Sequence, residues 1–352
     1  MTADENAVAA SEQVPGEVVL TVRGLNKFFP APYSPIDRLR GVPRRVVRAL
    51  NDVNLDVRRG ETLGLVGESG CGKSTLARCL VRLSDADAGS VTFEGRDVLG
   101  LRGSELRAYN RRVQMIFQDP FSSLNPRMTV GQTLREALSV HRMRPPGEIP
   151  VRVQELLSLV GLPPEAEGRL PHEFSGGQRQ RIGIARALAV EPQVLVADEL
   201  VSALDVSVQA QVVNLLLELQ ERLGLTVLFV AHDLRLVRHL SHRVAVMYLG
   251  SVVEVAGTDD VFGRPRHPYT QALLAAAPKL DPAHRTRAPA VEGEIPSPLN
   301  VPSGCPFRTR CPHAFGRCGV EKPALLETDP GQYAACHLYD PRSGPAQGQA
   351  AP

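Results

Sequence analysis

A chain of 352 residues is longer than one hydrophobic core usually serves, which points to a main domain with an added lobe or tail. Its 40 basic residues stand against 38 acidic ones, a net charge of +2 and too weak a field to mark nucleic acid or acidic lipid as the main partner. No run of roughly eighteen apolar residues occurs, so no membrane span is expected. Six cysteines without an export signal should be reduced, which puts metal binding or reactivity ahead of disulfides.

Residues 1–16 are small, polar and acidic, lack the basic start and apolar middle of a secretory signal, and read as a disordered lead-in. A strand is predicted over residues 18–22 (V-V-L-T-V), then a Pro- and Arg-rich surface insertion over 30–45, then a further strand near Val46. Strand 62–66, helix 73–83, a hairpin around Phe93-Glu94-Gly95 and strand 113–117 make a β-α-β start. Apolar positions Leu134, Leu138, Val153, Leu156, Leu157 and Val160 predict a helical lobe, broken at Pro145-Pro146-Gly147. The alternation resumes with helix 177–190, strand 194–197, helix 206–223, strand 226–230, helix 234–240 and strand 243–247. The expected fold class is therefore α/β, a largely parallel sheet with flanking helices. Beyond Gly257 the texture turns Pro-rich, which sets a boundary between residues 17–257 and 258–352.

The segment Gly67-Glu68-Ser69-Gly70-Cys71-Gly72-Lys73-Ser74 fits G-x-x-x-x-G-K-S between an apolar strand and a helix, the context in which that pattern has meaning. Glycines let successive backbone N–H groups curl inward, the helix start adds positive potential, and Lys73 brings a charge to the outer phosphates. Ser74 then suits magnesium, and Thr75 completes the expected nucleotide-binding run. Strand 194–197 leads into Asp198-Glu199, two carboxylates at a strand's carboxyl end, where ligands bind in such sheets. Asp198 suits the magnesium shell and Glu199 the polarisation of an attacking water.

With Phe174-Ser175-Gly176-Gly177-Gln178 ahead of that strand, the sequence resembles the ATP-binding-cassette ATPases: a P-loop core with an antiparallel β subdomain and a helical subdomain at about 119–176. The resemblance implies that Ser175, Gly176, Gly177 and Gln178 contact ATP held by an opposite subunit. It also implies that Gln118 joins magnesium to the helical lobe, that Asp205 ends a dimer-contact loop, and that His232 contacts the terminal phosphate. Phe29 stands where the family stacks an aromatic ring on adenine, with Phe28 beside it as the other choice. The family usually reads Leu before S-G-G-Q and Pro-Thr after the acidic pair; Phe174 and Leu200-Val201 depart from this.

Further motifs resemble the ATPase subunits of dipeptide and oligopeptide importers, in particular the F-type subunit. They are Gln118-Asp119-Pro120, Leu124-Asn125-Pro126, Ser207-Val208-Gln209-Ala210-Gln211, His267-Pro268-Tyr269-Thr270 and Gly293-Glu294-Ile295-Pro296-Ser297. This implies ATP and magnesium, a second ATPase subunit in a heterodimer, two membrane permeases, an extracytoplasmic binding protein, no nucleic acid, and a position on the cytoplasmic face of the membrane. The other readings are a cassette acting on DNA or ribosomes, or an importer of nickel or another small solute. By itself the His-Pro-Tyr turn reads as a structural cap. Cys305, Cys311, Cys318 and Cys336, spaced C-x5-C-x6-C-x17-C in a Pro-rich segment, read as ligands of a [4Fe-4S] cluster, with zinc second and free thiols third. Subunits of the family with such a tail are similar in holding a cluster. Cys71 and Cys79 lie in the loop and its helix, where Cys71 is expected to fill space, with oxidation as the other reading.

Overall fold

The structure, a computed structural model, describes residues 16–31, 33, 45–119, 123–276 and 294–343. Nearly all of the expected lead-in, most of the Pro- and Arg-rich insertion, and Pro120 and Gly293 of the importer-like motifs lie outside them.

Strands β1 (Val18–Pro30) and β2 (Val46–Arg58) pair antiparallel, β1 running on well past Val22 because β2 accompanies it across two irregularities between Val22 and Lys27. Next come β3 (Thr62–Val66), wholly buried, and α1 (Lys73–Leu80). Strands β4 (Ala88–Phe93) and β5 (Arg96–Asp97) return to form a four-stranded sheet in the order β2-β1-β4-β5. Glu94 at φ 48° and Gly95 at φ 76° turn between them, the left-handed pair that a two-residue hairpin requires.

Helix α2 (Gly103–Arg112) leads into β6 (Val113–Ile116). The helical lobe is built from α3 (Val130–Val140), α4 (Ile149–Leu159) and the start of α5 (Gly176–Leu188). Thr129 caps α3 through a reciprocal pair with Gln132, and the predicted apolar positions Leu134, Leu138, Val153, Leu156, Leu157 and Val160 are all buried. Then follow β7 (Val194–Asp198), α6 (Val206–Leu223), β8 (Thr226–Val230), α7 (Leu234–Leu240) and β9 (Arg243–Tyr248). Strand β10 (Ser251–Gly257) turns back antiparallel, followed by α8 (Thr258–Gly263), α9 (Pro268–Ala276), α10 (Gly316–Val320), β11 (Leu326–Asp329) and β12 (Gln332–Ala334).

The large sheet runs β11-β12-β10-β9-β3-β8-β7-β6, with β9, β3, β8, β7 and β6 parallel. Alternate residues of its strands feed two cores: Leu63, Leu65, Val196 and Leu228 face the small sheet and α1, while Leu195, Val227, Phe229 and Val244 face the flanking helices. Cover on both faces is why β3, β7 and β8 read as unbroken apolar runs. Their parallel direction puts the carboxyl ends of these strands on one edge.

Candidate nucleotide site

The loop after β3 owes its shape to two close backbone approaches. A Cβ on Gly67 (φ 153°) would lie 2.2 Å from the Met247 carbonyl oxygen, and one on Gly72 (φ 109°) 2.3 Å from that of Ala49. The Gly250 N–H donates to the Cys71 carbonyl at 2.8 Å, so the β9–β10 turn braces the loop from outside. Lys73 is buried and its Nζ donates to the carbonyls of Gly67 at 2.8 Å and Glu68 at 3.1 Å. Ser69 and Gly70 are exposed, and Thr75 is half-buried in the first turn of α1. Cys71 is buried against Gly67 and Lys73, with its thiol pushed up by burial, which fits a space-filling side chain more than a reactive one.

Strand β7 delivers Asp198 to the same edge, and Ser74 Oγ donates to Asp198 Oδ1 at 2.9 Å, joining two positions 124 residues apart. Burial raises the Asp198 carboxyl above its ordinary range, the Ser74 hydrogen bond opposes that rise, and the charge of Glu199 adds to it. A carboxylate, a hydroxyl and a second carboxylate nearby are hard oxygen donors, a set that fits magnesium. Glu199 has φ 47°, held by its N–H donating to Val230 O at 2.9 Å. The Gln118 side-chain N–H donates to Glu199 Oε2 at 2.7 Å; among the described residues it makes no bond to Ser74 or Asp198. His232 follows β8, is exposed, and lines with Glu199 and Ser202 a hollow of about 40 Å³.

The departing residues Leu200, Val201 and Phe174 are all buried in the helix-side core, so they alter packing behind the acidic pair and leave its carboxylates at the edge. Phe29 is 40% exposed near the end of β1 with the Lys27 ammonium over its ring at 5.3 Å, whereas Phe28 is half-buried with its N–H on Asp87.

Ser175 caps α5 in a reciprocal pair with Gln178, at 3.3 Å and 3.0 Å. Gly177 is packed so tightly on α6 that a Cβ would meet Val208 Cγ1 at 2.3 Å, and one on Gly176 would meet Leu204 at 3.1 Å. Asp205 begins α6 as an exposed cap residue. Among the described residues, none of Ser175, Gly176, Gly177, Gln178 and Asp205 hydrogen bonds to the phosphate loop of the same chain.

An ABC transporter family model matches residues 50–202, and a model of the oligopeptide/dipeptide transporter C-terminal region matches residues 253–318. Over 325 residues the chain is 52% identical to the probable peptide ABC transporter ATP-binding protein y4tS of Sinorhizobium fredii, covering 92% of this chain and 91% of that one. It is 49% identical over 327 residues to the oligopeptide transport ATP-binding protein AppF of Bacillus subtilis, covering 92% and 98%. The chain belongs to the ABC transporter family, as an ATPase. Among solved structures, the dimeric post-hydrolysis state of the ATP-binding cassette MJ0796 bound to ADP and Pi is similar to this ABC ATPase over 68% of its length and 98% of its own, with TM-score 0.59 and 27% identity.

Beyond β10, the ABC ATPase carries contacts that reading along its chain did not anticipate. Glu254, wholly buried in β10, accepts from the N–H groups of Arg266 at 2.7 Å and His267 at 2.9 Å. His267 Nδ1 accepts from the Tyr269 N–H at 3.0 Å, and burial holds the imidazole neutral by pushing it down to about 3. Tyr269 then reaches the phosphate loop, its hydroxyl accepting from the Glu68 N–H at 2.9 Å. Arg310 forks onto the Glu68 carboxylate at 3.1 Å and 3.2 Å. The His-Pro-Tyr turn is thus more than a cap.

The four tail cysteines form no disulfide; Cys305 and Cys318 are buried, with the Cys305 N–H donating to Cys318 O at 2.9 Å. All four lie within electrostatic reach of one another, and burial raises Cys305 to about 11 and Cys336 to about 12. Four thiols are donors that suit a soft metal. Yet among the described residues no three His, Cys, Asp or Glu side chains are gathered closely enough to hold an ion, so the expected shell of Cys305, Cys311, Cys318 and Cys336 is not closed.

Proposed function

We propose that this ABC ATPase powers peptide uptake through a membrane importer, closing head-to-tail with a second ATPase subunit around two ATP molecules. The peptide assignment is supported by the relatives named for peptide and oligopeptide transport. The observation that carries the catalytic reading is the 2.9 Å contact between Ser74 and Asp198, which joins the phosphate loop to the acidic end of β7. Ser74 and Asp198 would hold magnesium, which supplies positive charge against the phosphates. Lys73 would release its two carbonyl partners to meet the outer phosphates, Glu199 would orient and deprotonate water, and His232 would hold that water from the far side of the hollow. Gln118, bonded to Glu199, would pass changes there into the helical lobe. Phe29, with its exposed ring, is the adenine platform.

The partner's Ser-Gly-Gly-Gln segment would complete each site, since a capped helix start offers N–H groups to an anion. Two permeases and an extracytoplasmic binding protein complete the machine, with the ATPases on the cytoplasmic face and a heterodimeric pair expected; no helix among the described residues is long and apolar enough to cross a membrane. Glu199→Gln in the full complex should lower ATP turnover by at least roughly 100-fold while ATP still drives closure, as read by cross-linking across the dimer. Retained turnover would remove Glu199 as the base.

For the tail, we infer an iron–sulfur cluster ahead of zinc, supported by the four-thiol donor set of Cys305, Cys311, Cys318 and Cys336 and its wide spacing along the chain. Iron, acid-labile sulfide and zinc measured after anaerobic purification decide it; absence of all three would leave free thiols.

A further inference from the structure

We infer that the C-terminal segment positions the phosphate loop, with Arg310 and Tyr269 gripping Glu68 and thereby setting the affinity for ATP. The inference rests on the reading that this loop binds the phosphates. Glu68 is held at three points: its N–H by the Tyr269 hydroxyl, its carbonyl by Lys73, and its carboxylate by both terminal nitrogens of Arg310. The partners lie 201 and 242 residues away, so the loop's second residue is fixed by a part of the chain outside the parallel sheet.

The grip is stiff for physical reasons. A two-pronged guanidinium–carboxylate pair fixes direction as well as distance, and here the Arg310 side chain is only 7% exposed. Its head lies 5.9 Å from the Phe307 ring centre and 6.0 Å from that of Tyr248. Those rings pack on one another and on Tyr269, with centres 4.6 to 5.5 Å apart, so the two gripping side chains share one base. The turn bearing Arg310 is itself closed by Arg308 N–H on Cys305 O at 3.1 Å and Arg310 N–H on Phe307 O at 3.0 Å. Neither Arg310 nor Tyr269 touches the reacting atoms in this reading. They act through Glu68 and Lys73: a loop whose N–H groups are already aligned loses less freedom when phosphate arrives.

An ordinary stabilising ion pair would change melting and leave ATP affinity alone, which separates the two roles. In the purified full-length chain, equilibrium binding of Mg·ATP should weaken roughly tenfold in Arg310→Ala and roughly threefold in Tyr269→Phe, with Arg310→Lys between them. Turnover at saturating ATP in the assembled importer should stay within about twofold, so the effect falls on KM. The exchange Glu68→Arg with Arg310→Glu should recover part of the affinity lost in either single variant. Affinity within about twofold of the parent in both Arg310→Lys and Tyr269→Phe overturns the inference, even if Arg310→Ala fails to fold. Lys73→Ala guards the premise: if it binds ATP like the parent, the loop is not the phosphate site and the grip loses its object.

Discussion

The phosphate loop and the C-terminal segment beside it are made specific in different ways. The loop's form comes from what is missing: Gly67 and Gly72 stand where any side chain would strike a carbonyl, so neighbouring strands can press against it. The C-terminal segment relies on what is present, a relay of polar bonds from Glu254 through His267 and Tyr269 to Glu68, with Arg310 closing it. Tight backbone contact fails all at once when disturbed. A relay loses one bond at a time and can respond to pH.

The sharpest way to break the comparison is to add one methyl group to the loop. Gly67→Ala should cost about 3 kcal/mol or more, because the clash at 2.2 Å is with backbone that cannot rotate away, and Mg·ATP binding should be lost with it. Gly70, at φ 78° with nothing within 4 Å, should tolerate alanine for about 1 kcal/mol of backbone strain alone. Equal losses for the two variants in urea unfolding would mean that close packing does not set the loop's form.

The same contrast explains what could be read along the chain. Strands β3, β7 and β8 were legible because both faces are covered and each is a short apolar run ending in chemistry: Gly67, Asp198, and His232 just beyond β8. Helix α2 escaped because it buries only Tyr109 and so has no apolar stripe. Strand β10 was hidden by Glu254, a charge mid-strand whose partners at 266 and 267 become visible only in three dimensions. Among the site residues, local spacing was enough for Lys73, Ser74 and Asp198. It could not reveal Tyr269 or Arg310 as loop contacts, since no periodicity links positions more than 200 residues apart. Nor could it foresee that Gln118 would bond Glu199 rather than the Ser74–Asp198 pair.

Within the relay, the next largest effect is on pH dependence. Folded His267 is pushed from 6.5 down to about 3 by burial, so below about pH 6.5 the unfolded chain takes up a proton that the folded one refuses. Stability is therefore lost as pH falls through that window, at a slope approaching about 1.4 kcal/mol per pH unit, which comes to about 1.6 kcal/mol between pH 6.5 and 5. His267→Gln removes this contribution. Urea midpoints at the two pH values should fall further for the parent than for the variant, and parallel falls would mean that His267 does not carry the dependence.

A change in stability as small as that at Gly70 is expected at Ser175, where two roles coincide. As the cap of α5 its hydroxyl accepts from the Gln178 N–H, and Ser175→Ala should cost about 1 kcal/mol. Aspartate is an equally good cap, so Ser175→Asp should restore that stability. It also sets a negative charge on an exposed site proposed to meet the partner's phosphates, so ATP-driven dimer closure should fail in a chain that folds as well as the parent. If Ser175→Asp instead closes normally with ATP, the capped start of α5 serves only its own helix, and the shared nucleotide site must be sought on another face.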